Sequence, residues 1–367
     1  MTFMERLAAI RAAMAEAELD LLIGVHEGSH FIERPNPVMV LTQFKALGAA
    51  AAVMDRTGER KLVVTPAWEA ERAAEAAPDV EVRGTDDLIE GLAAACGGKT
   101  GAIGICGLSE LSWPLVARLR AAFPGARAAD AAVFRPARFK TDEEIAWARE
   151  AARIAERAYE HLKAIARPGR SEDEIAAEIC WYTKSLGAED NFLLLCAGPH
   201  NRAVQPSTGR RLAAGDILLA EITPSYRGQL AQICRTMILG RASETLAKKY
   251  ALVTEAMHAG IRAARPGVPM AEVCRAINRV LEAEGYAQYC HPPYIRRRGH
   301  GLGFASTEPG DVSLDNAILL EPGMLFMIHP NQYLPETGYL LCGEPVLLGS
   351  EGATPLTYQM SALIELA

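Results

Sequence analysis

His300 lies in the run Arg298-Gly299-His300-Gly301-Leu302-Gly303. His329 follows in Ile328-His329-Pro330, and Glu344 in Gly343-Glu344-Pro345. Two imidazoles and a carboxylate can hold a divalent cation while leaving coordination positions open to water or substrate. The glycines around His300 let backbone and substrate approach closely. In this order, the three residues predict a catalytic centre built by the C-terminal half of the chain.

Composition narrows the classes of protein that could carry such a centre. The chain has 367 residues, half of them hydrophobic and 23% charged, which predicts a globular protein of about two domains with a large core. A net charge of −7 argues against a nucleic-acid-binding role. Arg296-Arg297-Arg298 is a compact basic run beside His300 and reads either as a solvated turn or as an anion-binding element. The N-terminal stretch is amphipathic and carries acids, unlike the apolar core of a secretory signal. No stretch reaches the roughly 18 uninterrupted apolar residues of a membrane span. Eight scattered cysteines without a CxxC pair fit a reducing, cytoplasmic setting better than a disulfide or zinc-finger scaffold.

The elements that must position these residues are legible as patterns. Residues 1–135 alternate helical and strand-like stretches and include a hairpin around the turn Asp55–Gly58, which predicts a small α/β domain. Thr141 with Glu144 reads as a capping box opening a long helix to about Ile165. Within 140–367 the segment Ala166-Arg167-Pro168-Gly169 recurs as Ala264-Arg265-Pro266-Gly267, 98 residues on. Each copy follows a long helix and precedes an amphipathic one. Strand-like runs come next: 192–197, 216–222 and 230–238 after the first copy, and 324–328, 338–346 and 355–366 after the second. This predicts a pseudo-symmetric α+β domain with helices on one face of a curved sheet.

Four segments carry a family resemblance: Lys140-Thr141-Asp142-Glu143-Glu144-Ile145, Gly215-Asp216-Ile217-Leu218-Leu219, Gly299–Gly303 and Leu320-Glu321-Pro322-Gly323-Met324. Through them the chain resembles, over nearly its whole length, the creatinase, prolidase and methionine-aminopeptidase superfamily, whose catalytic domain has the pita-bread fold. The resemblance implies a creatinase-type N-terminal domain and a homodimer. The family's metallopeptidases use five ligands in the order Asp, Asp, His, Glu, Glu. Carried over one by one, these fall on Glu221, Gln232, His300, His329 and Glu344.

Three of those five positions are altered. Gln232 and His329 remove two negative charges, so two adjacent dications would be poorly compensated, which argues against a dinuclear site. One reading keeps a single Zn, Mn or Fe ion on Gln232, His300, His329 and Glu344, with Glu221 as general base. The other has no metal. Pro199-His200-Asn201 resembles creatinase's His-Asn segment, and His200 then serves as acid/base beside Glu221, His300 and Glu344. Creatinase itself does not fit. The glutamates that would clasp its guanidinium fall on Cys234 and His329, and the arginine that would hold its carboxylate falls near Asp311. Thr307-Glu308 replaces the His-Glu pair of Xaa-Pro peptidases.

The resulting expectation is a creatinase-like hydrolase cleaving a C–N bond in a small, polar, non-peptide metabolite. A lyase, an Xaa-Pro-type metallopeptidase and an inactive binding protein stand as alternatives. His291 and Cys234 are candidate substrate contacts, Cys234 either as an inert packed thiol or as a reactive thiolate. His26 and His30, in the loop after the first strand, are candidates for reaching a partner subunit's active site, and each also reads as a solvated loop histidine.

Overall fold

The computed structural model describes residues 1–28, 32–98, 101–306 and 309–366. The chain forms two compact units, one of Met1–Glu143 with a short segment beginning at Phe304, the other of most of the remainder.

In the first unit, helix α1 (Phe3–Glu16) opens with a capping box. The Thr2 hydroxyl accepts from the Glu5 N–H, and the Glu5 carboxylate accepts from the Thr2 N–H. Strands β1 (Leu21–His26), β2 (Ala50–Asp55), β3 (Arg60–Val64), β4 (Glu81–Gly84), β5 (Ile103–Cys106) and β6 (Arg127–Ala128) form one sheet in the order β4-β3-β2-β1-β5-β6. The β2–β3 pair is the hairpin expected around Asp55–Gly58. Helices α2 (Pro37–Thr42), α3 (Ala70–Ala76), α4 (Leu88–Cys96), α5 (Trp113–Ala122) and α6 (Asp130–Ala137) complete the unit.

In the second unit, the long helix α7 (Asp142–Ile165) is followed by α8 (Glu172–Ser185) and by β7 (Asp190–Gly198), β8 (Ile217–Tyr226), β9 (Gln229–Leu230) and β10 (Ile233–Leu239). The second half repeats this plan with α9 (Glu244–Ala263), α10 (Met270–Ala283), β11 (Gly299–Gly301), β12 (Leu325–Ile328), β13 (Gln332–Leu334), β14 (Gly338–Leu340), β15 (Glu344–Leu348), β16 (Ala353–Pro355) and β17 (Ile364–Leu366). The repeat extends to individual hydrogen bonds. Gly169 N–H donates to Leu212 O while Leu212 N–H donates to Arg170 O; Gly267 N–H donates to Leu320 O while Leu320 N–H donates to Val268 O. Both glycines have positive φ, +92° and +81°, which a side chain resists.

Three expected strands are interrupted. The 230–238 run breaks at Ala231–Gln232, where Ala231 N–H turns to Pro224 O. The 338–346 run breaks before Glu344, where Cys234 bridges Gly343. The 355–366 run breaks because Thr357 and Ser361 turn inward to bond Glu344.

The strand period of two decides what faces the site. Leu218, Ala220 and Ile222 of β8, with Ile233, Met237 and Leu239 of β10, pack against Ala155, Ala158, Leu162, Ile175 and Ile179 of α7 and α8. Glu221 alternates with that set and points to the opposite face, as does Cys234, its cross-strand partner.

Candidate active site

Contact runs continuously through the candidate residues. Glu221 pairs across strands with Cys234, and Cys234 bridges Gly343. A Cβ built on Gly343 would stand 2.5 Å from the His329 Cβ, so only glycine lets β15 pass there. The His329 ring lies 5.2 Å from that of His300 at 61°. His300 is held on β11, which pairs with β12; any side chain at Gly299 would collide with Met327 O.

Glu221 is buried at 7% exposure. Its Oε1 accepts from Asn331 Nδ2 at 3.0 Å and from Cys234 Sγ at 3.6 Å, and its Oε2 accepts from Gln232 Nε2 at 3.2 Å. Burial pushes its carboxyl pKa up against the pull of these donors and of Arg297. Asn331 was not anticipated from sequence, although Pro330-Asn331 is a turn signal. Its φ of +25° is one that Asn tolerates, and its Oδ1 accepts from Cys342 N–H at 3.1 Å.

Glu344 faces elsewhere. Its Oε1 accepts from Ser361 N–H at 2.7 Å and from Ser361 Oγ at 2.8 Å, and lies 2.9 Å from Arg235 Nη1 as an ion pair. Its Oε2 accepts from Thr357 Oγ1 at 2.7 Å and Arg235 Nη2 at 3.2 Å. The Arg235 guanidinium also sits 5.4 Å from the Tyr159 ring of α7. This buried ion pair joins β10, β15 and the 357–361 turn.

The imidazoles differ. His300 Nδ1 lies 2.9 Å from Gly301 O, which requires the proton on Nδ1. His329 has its pKa pushed well below the ordinary 6.5, first by burial and then by His300 and Arg297, and its Nδ1 is buried without a hydrogen-bond partner.

The expected metal set does not fit these contacts. The two Glu344 oxygens, with about four lone-pair positions, already accept four hydrogen bonds and face the Arg235 guanidinium as an ion pair. Gln232 turns its NH2 toward Glu221, and Asn331, locked by Cys342, presents another. Among the described residues no group of three or more His, Cys, Asp or Glu is placed to hold a metal ion. Of the expected single-metal set of Gln232, His300, His329 and Glu344, Glu344 is paired here with Arg235 rather than turned to the His300–His329 pair.

Other expected residues are placed as follows. His200 is exposed, with Nε2 2.9 Å from Pro335 O and its ring edge-on to Tyr333 at 5.8 Å; none of these contacts is with Glu221, His300 or Glu344. Tyr333 also meets Tyr289 at 5.8 Å and stacks on Tyr294 at 5.5 Å, making an aromatic cluster two residues from Asn331. His291 is exposed at the rim of a cleft of about 160 Å³ lined by Arg296, Arg297 and Arg298. Cys234 is fully buried, and burial, then Glu221, pushes its thiol well up, so the reactive-thiolate reading is corrected to a neutral donor. His26 ends β1, is buried, and accepts from Gly28 N–H at 3.0 Å rather than standing in a solvated loop. His30, Thr307 and Glu308 lie outside the described residues. No helix among the described residues is long and apolar enough to cross a membrane.

Comparison with known proteins agrees with this architecture. The family model Metallopeptidase family M24 matches residues 146–352, and Creatinase/Prolidase N-terminal domain matches residues 6–140. The chain is 29% identical over 228 residues to YqhT of Bacillus subtilis, named an uncharacterized peptidase, covering 61% of this chain and 64% of that protein. It thus spans less than two thirds of the length of the curated relatives it matches first. It is 26% identical to the Xaa-Pro dipeptidase of Pyrococcus furiosus over 332 residues, 89% of this chain and 92% of that one. The solved Xaa-Pro dipeptidase from Bacillus anthracis superposes with a TM-score of 0.85 at 23% identity, covering all of both chains, which shows the fold. The expectation of a hydrolase for a non-peptide, creatinase-like substrate is corrected by these relatives, which are named as peptidases. With its model matched over more than half of the sequence, and a creatinase-type domain in front, the chain belongs to metallopeptidase family M24.

Proposed function

We propose that the chain is a hydrolase of short peptides of the Xaa-Pro class, with Glu221 as its acid–base group. The observation that carries this reading is the buried Glu221, oriented by Gln232, Asn331 and Cys234, with Asn331 two residues from Tyr333 of the aromatic cluster that also holds Tyr289 and Tyr294. The resemblance to the Pyrococcus furiosus enzyme over 89% of the chain supports it. A carboxyl whose pKa is raised by burial can take a proton from water as the water adds to a peptide carbonyl, then return it to the departing nitrogen. The flat apolar faces of the tyrosines suit a prolyl ring. No step is assigned to a metal. The homodimer and a domain boundary at 135–140 belong to the same proposal; light scattering should then give about twice the 39.5 kDa chain mass.

The test is release of free amino acids from Ala-Pro and a wider Xaa-Pro set, with and without Mn²⁺. Glu221→Gln should lower the rate at least ~100-fold, the usual scale for losing a positioned acid–base group. Tyr333→Ala should raise KM roughly fivefold, on the order of 1 kcal/mol of aromatic contact, with kcat little changed. If no peptide is cleaved under any condition, the hydrolase reading is lost. A second reading, peptide binding without turnover, then takes its place. It is favoured by the four hydrogen bonds and the Arg235 ion pair that occupy Glu344.

A further inference from the structure

A carboxylate as buried as Glu221 ordinarily has a cation beside it, because an uncompensated charge in a low-dielectric site is costly. The hydrogen bonds that Glu221 accepts come from two carboxamides and a thiol, all neutral. Arg297 favours its ionised form through space, but the Arg297 guanidinium is paired with Asp311 at 3.0 Å. Two further polar atoms are buried without partners: Oε1 of Gln232, whose amide nitrogen contacts Glu221, and Nδ1 of His329. A buried carboxyl group, an unpartnered amide oxygen and an unpartnered imidazole nitrogen together suit a cation that brings its own N–H donors. A divalent metal ion does not meet that need. The amide NH2 groups of Gln232 and Asn331 crowd Glu221, and Glu344 is withdrawn to Arg235.

We propose that the place the family gives to its metal ions receives, in this chain, a primary ammonium, the α-amino group of the peptide, held by Glu221, Gln232 Oε1 and His329. The identity of the ammonium as a peptide terminus rests on the reading above; the ammonium site itself does not. Binding then sets one proton-bearing cation against these groups, and no bond is made or broken. Metal loading is then not required for binding.

The test uses the full chain and three probes. Calorimetric titration with Mn²⁺, with metal content after dialysis as a check, should show under about a tenth of an equivalent retained. One or two equivalents, lost in Glu221→Gln, would overturn the proposal. Propylammonium should raise the melting temperature in a saturable way, whereas tetramethylammonium, which has no N–H, should not; equal effects of the two would sink the idea. Ala-Pro should bind at least tenfold tighter than N-acetyl-Ala-Pro, and Glu221→Gln should abolish the difference; equal affinities in the native chain count against the proposal. Should Glu221→Gln fold poorly, Gln232→Leu removes only the amide and should weaken propylammonium several-fold without restoring Mn²⁺ binding. If no peptide binds at all but propylammonium discrimination holds, the peptide reading fails and the ammonium site stands.

Discussion

At the scale of single residues, the centre is defined by what surrounds two titratable groups. Burial raises the Glu221 pKa above 4.5 and lowers that of His329 well below 6.5. The linkage signs are opposite. For Glu221 the folded protein holds a proton more tightly than the unfolded chain. Its favourable contribution is therefore complete below pH 4.5 and is lost as pH rises through the folded pKa. Glu221→Gln, which needs no proton, should melt higher than the native chain at about pH 8, with the gap closing toward pH 4.5. A constant gap across that range in scanning calorimetry would contradict the assignment. For His329 the unfolded chain takes the proton more readily, so its contribution is present above pH 6.5 and is lost as pH falls. His329→Ala should flatten the acid limb of the stability profile.

At the scale of elements, the Arg235–Glu344 pair fastens the sheet that carries Glu221 to the sheet that carries Glu344. Both partners are almost wholly buried, at 1% and 0% side-chain exposure, so the removal of one strands the other's charge. Arg235→Met should destabilise the protein by about 3–5 kcal/mol in denaturant unfolding. Adding Glu344→Leu to it should recover part of that loss, because the uncompensated carboxylate goes with it. Strictly additive losses would mean that the two side chains act independently.

At the scale of the whole molecule, the internal repeat shows two halves built on one plan. The same Pro-Gly turn, with the same reciprocal pair of backbone hydrogen bonds, follows α7 and α9. Nothing stands within 4 Å of a Cβ at Gly169 or Gly267, so substitution there meets only the backbone cost of a positive φ. Gly169→Ala and Gly267→Ala should each lower stability by about 1 kcal/mol, and the double variant by the sum, since the two turns share no partner. A much larger effect at one turn, read by chemical unfolding, would show that the two halves are equivalent in form but not in energetics.

Much of this architecture is legible in the chain's local patterns. The hairpin at Asp55–Gly58, the long helix to Ile165 and the repeated turns are written in periodicity, capping and turn chemistry, which act over a few residues, and the GHG and LEPGM segments carry the resemblance to the family. Family, fold and the two-domain plan follow from them. The side to which each site residue turns is not legible in this way. Glu344 lies 109 positions from Arg235, and Asn331 lies 110 positions from Glu221. Whether a carboxylate meets an arginine, an amide or open space depends on strand pairing and on breaks such as those at Gln232 and Gly343, and these are settled by packing across the chain. Local sequence thus sets which side chains are on hand for chemistry. Long-range packing completes the surroundings of Glu221 and sets Glu344 in an ion pair, because Asn331 and Arg235 reach these carboxylates from 110 and 109 positions away in the chain.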